Sequence, residues 1–105
     1  MQEQKTIAVT AQHITRGVRA DCSCCPLALA ASDAFPGKLC IATWGRIYVY
    51  PDAGTHRDYI ENGELAERGP DEIWSHNGDN FITRFDAGKN VEPQDIDLWL
   101  EKRSV

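Results

Sequence analysis

A chain of 105 residues with 42% hydrophobic and 26% charged side chains makes one folding unit with a real core, and its composition is not that of a disordered protein. The net charge of −5 is uneven: residues 1–50 carry five basic against three acidic side chains, residues 51–105 six against thirteen. An acidic second half argues against gripping nucleic acid, which takes clustered Lys and Arg, and suits a basic protein surface.

No apolar run approaches the ~20 residues of a membrane helix. Met1-Gln2-Glu3-Gln4-Lys5 lacks the charged-then-apolar shape of a secretion signal. A soluble, cytoplasmic protein is therefore expected, and in a reducing compartment four cysteines point to metal, redox chemistry or packing before disulfides.

In chain order, Lys5–Val9 alternates with Ile7 and Val9 on one side, a short strand. Thr10 caps a two-turn helix, Ala11–Arg16, which Gly17 ends. Asp21-Cys22-Ser23-Cys24-Cys25-Pro26 then opens the most apolar helix, with Ser23 or Asp21 as its cap and Pro36-Gly37 as its stop after Phe35. Cys22, Cys25 and Leu29 share a face if that helix begins early enough.

A hairpin follows, Leu39–Thr43 and Ile47–Tyr50 around Trp44-Gly45-Arg46. Its alternation is expected to turn Leu39, Ile41, Ile47 and Val49 toward the helices, and Cys40, Tyr48 and Tyr50 away from them. Residues 51–69 read as a mobile loop, with Asn62-Gly63 able to turn one small hairpin in it. Pro70-Asp71-Glu72 opens a predicted helix with Trp74, Phe81, Ile82 and Phe85 on one face. Asn77-Gly78 is expected to divide it, Asp79 capping the second piece and Gly88 ending it. Finally Ile96, Leu98 and Leu100 alternate with Asp97, Trp99 and Glu101, a half-buried strand.

The order β-α-α-β-β-α-β predicts a single α+β domain over 1–105. It has two layers: a mostly antiparallel sheet of about four strands, with helices on one face.

Two chemistries compete. Cys22, Cys24 and Cys25 at a helix start have the spacing of redox or zinc thiols, with His13 the nearest further ligand. No second Cys or His pair completes a tetrahedral set, so small buried hydrophobes are the favoured reading of Cys22 and Cys25. His13, His56 and His76 have no companion nucleophile at a useful spacing, and no Gly-rich phosphate loop is present. No catalytic residue is therefore assigned. The second candidate is the helix-free sheet face, where Tyr48, Tyr50 and Trp99 would emerge beside Asp97 and Glu101, a surface for a basic partner or a second copy of the chain.

The run Asp21-Cys22-Ser23-Cys24-Cys25-Pro26-Leu27-Ala28-Leu29-Ala30, with Arg46–Val49 and Ile82–Gly88, resembles a group of short uncharacterised proteins of actinobacteria and their phages. The resemblance covers most of residues 5–100 and brings no activity or cofactor. It implies a small phage or mobile-element protein that binds a host protein, including as a host-defence, anti-CRISPR-like inhibitor. The alternative is a small zinc- or thiol-dependent protein using Cys22, Cys24 and Cys25.

Overall fold

The computed structural model describes residues 3–19, 21, 24–50 and 70–103. Among the described residues, five strands and three helices follow one another: β1 (Gln4–Val9), α1 (Ala11–Arg16), α2 (Pro26–Ala34), β2 (Leu39–Thr43), β3 (Arg46–Tyr50), β4 (Glu72–His76), α3 (Asp79–Asp86) and β5 (Gln94–Arg103). All the strand pairings are antiparallel, in the order β1-β5-β4-β3-β2. The α+β class is as expected, with one strand more. The loop expected over 51–69 lies outside the described residues, and none of the described helices is long and apolar enough to cross a membrane.

Apolar side chains concentrate on one sheet face. Ile7, Val9, Cys40, Ala42, Ile47, Val49, Trp74, Ile96 and Leu98 meet Leu27, Ala28, Ala30 and Ala31 of α2, Ile14 of α1, and Phe81 and Ile82 of α3. The alanines let α2 lie close to the sheet, touching both edge strands, β1 and β2, and the sheet curls around it. Four strand spacings span roughly 19 Å, too wide for one flat-lying helix of ~10 Å diameter to touch both edges unless the sheet bends.

The sequence signals at β1, α1 and β5 hold. Thr10 caps α1, accepting from the His13 N–H at 3.4 Å, while His13 Nδ1 accepts from the Thr10 N–H at 3.0 Å. In β5, Ile96 and Leu98 are buried in the core while Asp97 and Trp99 lie on the opposite face.

Three expectations change. Cys40 faces the helices and is wholly buried, whereas Leu39 and Ile41 point away beside Tyr48 and Tyr50. The cause is the turn. Its loop is Trp44-Gly45 alone, so Thr43 pairs with Arg46 and Cys40 with Val49, and a one-residue change of register moves every β2 side chain to the other face. Gly45 takes φ +71°, a left-handed conformation that a glycine adopts without steric cost.

Residues 72–76 form a strand, not a helix. Trp74 is buried between β3 and β5, whose free backbone groups supply a ladder that a helix would leave unmet. Its Ile73↔Lys102 and Trp74↔Leu100 pairings straddle a bulge. The helix then starts later, with Gly78 at its N-cap and Asp79 as its first residue.

At α2, Cys25 is the cap, its Sγ accepting from the Ala28 N–H at 3.4 Å. Asp21 instead organises the preceding turn, its carbonyl accepting from the Cys24 and Cys25 N–H groups. Helix begins only at Pro26, so Cys24 precedes it; Cys22 and Ser23 lie outside the described residues, and with them the face expected to join Cys22 to Cys25 and Leu29.

Candidate functional site

The helix-free face is assembled from cross-strand rows. One runs Gln4, Trp99, Ser75, Arg46 and Thr43; another pairs Thr6 with Asp97. The expected site residues Tyr48, Tyr50, Asp97, Trp99 and Glu101 divide there into two groups. Tyr50 is 8% exposed and packs with Leu39 and Ile41, with half-buried Tyr48 against them. Leu39, Ile41 and Tyr50 form a second, smaller core, so Tyr50 offers no docking surface.

At the other end of the face the side chains are polar and already engaged. Asp97 accepts from Thr6 Oγ1 at 2.9 Å, and its backbone N–H donates to Asn77 Oδ1 at 3.0 Å. Glu101 accepts from Arg46 Nε at 2.9 Å. Hydrogen bonds to Tyr48 and to Glu101 raise the Arg46 guanidinium above its usual value. Trp99 lies half-buried in this row. The sequence placed these groups on one face correctly but could not show how many were already paired.

Of the thiol candidates, Cys25 is buried as a helix cap and Cys24 is half-buried, while Cys22 lies outside the described residues; the fourth cysteine, Cys40, lies under α2. Burial pushes the Cys40 thiol up to about 12, the negative charge of Glu72 adding to the rise and a hydrogen bond with Ser32 opposing it. His13 uses both ring nitrogens: Nδ1 at Thr10, and Nε2 at 2.6 Å from Asp33 Oδ2. Among the described residues no three His, Cys, Asp or Glu side chains gather as a metal site.

The feature that periodicity missed is the hairpin tip. Trp44 is 68% exposed, the most exposed large apolar side chain among the described residues. Its turn is held from three sides. His76 Nε2 lies 2.8 Å from the Thr43 carbonyl, the His76 N–H donates to the Gly45 carbonyl at 3.0 Å, and the Gly45 N–H donates to Asp79 Oδ1 at 2.8 Å. A wholly buried imidazole therefore anchors a turn that presents an indole to solvent. A tryptophan inside a two-residue loop is the one signal the sequence carried for this, because no core can reach it there.

Comparison with protein-family models, with curated proteins and with solved structures finds no match to this chain.

Proposed function

We propose that this protein works by binding another macromolecule rather than by catalysis, with the hairpin end of the sheet as its contact surface. Trp44 is the anchor, and Arg46, two positions on and paired with Glu101, begins the polar part of the adjoining helix-free face that also carries Trp99 and Asp97. The observation that carries this reading is an indole 68% exposed on a turn pinned by His76 and Asp79. An exposed tryptophan on a rigid support loses little conformational freedom on association, which is why such residues dominate binding energy at interfaces. The overall charge of −5 favours a basic partner.

The resemblance to short actinobacterial and phage proteins supplies the class of partner: a host protein, bound by a phage or mobile-element product, including as a host-defence, anti-CRISPR-like inhibitor. The test is comparative recovery of partners from an actinobacterial lysate by the tagged wild-type chain and by Trp44→Ala. Loss of about 2 kcal/mol or more of affinity, with unchanged thermal stability, supports the reading; equal recovery overturns it. Elemental analysis runs beside it. Stoichiometric zinc in the native protein would favour the alternative use of Cys22, Cys24 and Cys25.

A further inference from the structure

Trp44 also forms one wall of a small pocket. Ala42, Thr43, Cys25 and Ile82 complete its largely apolar lining, together with half-buried Asp21 and exposed Asp86. Its volume is about 180 Å³. That is below the ~300 Å³ at which pockets begin to bury cofactors or drug-sized ligands, and matches a single side chain.

We infer that this pocket receives an arginine side chain of the partner protein, an inference that rests on the binding role proposed for Trp44. The lining fits that side chain in three respects. An apolar wall of Ala42 and Ile82 suits the methylene stem. The indole offers a face on which a guanidinium stacks. Two carboxylates supply negative charge for its head, and a planar fork meets carboxylates better than a lysine ammonium does. Asp21 and Asp86 already take part in contacts within the chain, Asp21 Oδ1 accepting from the Cys24 N–H at 3.2 Å. The incoming cation adds to that network. Arg19, with its guanidinium packed where Gly88 leaves room, shows that the C-terminal end of α3 already accommodates such a group outside the pocket lining.

The test uses the whole protein and no macromolecular partner. N-acetyl-argininamide is titrated while the Trp44 indole N–H and the Ala42 and Ile82 methyl resonances are followed by NMR, with N-acetyl-citrullinamide as the uncharged isostere. The expected result is saturable movement of all three signals at roughly millimolar concentration, as the ligand's size permits, with binding at least five-fold weaker for citrulline and for the Asp86→Asn variant. Equal response to citrulline, or no saturable response to arginine, overturns the inference. Its failure is distinguishable from that of the binding role, because the lysate comparison with Trp44→Ala reads partner capture and does not depend on what fills the pocket.

Discussion

His76 Nε2 stands 2.8 Å from the Thr43 carbonyl while its Nδ1 accepts the Gly78 N–H at 2.9 Å, so one buried imidazole joins the β2–β3 turn to the start of α3. The two bonds assign the tautomer: the proton sits on Nε2. Replacing His76 with Phe keeps an aromatic ring but leaves a carbonyl and an N–H without these partners. Each buried group left unmet costs about 1–3 kcal/mol. His76→Phe is expected to lose roughly 2–5 kcal/mol in urea denaturation, and faster amide exchange at Gly45 and Gly78 should localise the damage. A loss below half a kilocalorie would show that the clamp is dispensable.

Gly17 tests packing rather than backbone freedom. Its φ of −68° is open to any residue, and in such a place Gly→Ala normally stabilises by about 0.4–1 kcal/mol. Here a Cβ would lie 2.6 Å from Pro26 Cδ and Cγ and 2.9 Å from Pro26 N. A proline ring cannot rotate aside, so strain outweighs the entropy gain. Gly17→Ala should be destabilising by about 1–3 kcal/mol; a rise in melting temperature would mean the α1–α2 junction yields easily.

The helix cap at Thr10 and the long strand β5 were legible because each writes its own local signal: a hydroxyl before an amphipathic turn, and Ile96, Leu98 and Leu100 at a strict period of two. β2 carries no such signal. Leu-Cys-Ile-Ala is apolar at every position, so its phase comes from loop length alone, and Trp44-Gly45 serves a two-residue loop as readily as it begins a three-residue one. β4 is short, and Trp74 fits a helical stripe with Phe81 and Phe85 as well as it fits a central strand. Only its neighbours β3 and β5, brought in from both sides, decide the matter. The anchoring of Trp44 depends on His76 and Asp79, more than thirty positions away, which periodicity does not register.

Cys40 should govern part of the alkaline limb of stability. Its thiol ionises near 9.0 when unfolded and at about 12 in the folded chain, chiefly because burial disfavours the thiolate. Above pH 9 the unfolded chain gives up a proton that the folded chain keeps, so the unfolded state gains. This stabilisation is complete below about pH 9 and drains away toward pH 12, by at most roughly 4 kcal/mol. Cys40→Ala removes the titration. It should be less stable at pH 7 by about 1–3 kcal/mol yet lose less on going from pH 8 to pH 10.5 than the wild type. Identical slopes would place the alkaline sensitivity elsewhere. Native Cys40 should also resist iodoacetamide until the chain unfolds.

Glu72 is the corresponding group on the acid side. Burial alone would raise its carboxyl, but hydrogen bonds from Trp74 and Arg103 and the charges of Arg103 and Lys38 outweigh that and hold it below the usual range. Both oxygens are occupied: Oε1 accepts from Trp74 Nε1 at 3.0 Å, and Oε2 from Arg103 Nε at 2.6 Å. Arg103 in turn donates to Glu3 Oε2 at 3.1 Å, so the carboxylate ties the buried Trp74 to the one end of the β1–β5 pair where the start of β1 meets the end of β5. A carboxyl depressed on folding contributes stability that is present above its unfolded value, near 4.5, and lost as the pH falls through the folded one. Glu72→Gln retains an oxygen for the indole but turns an amide toward Arg103. It should be less stable at pH 7 by about 1–2 kcal/mol, with a flatter decline below pH 4.5 than the wild type. Parallel acid limbs in the two proteins would assign that decline to other carboxylates and reduce Glu72 to a surface contact.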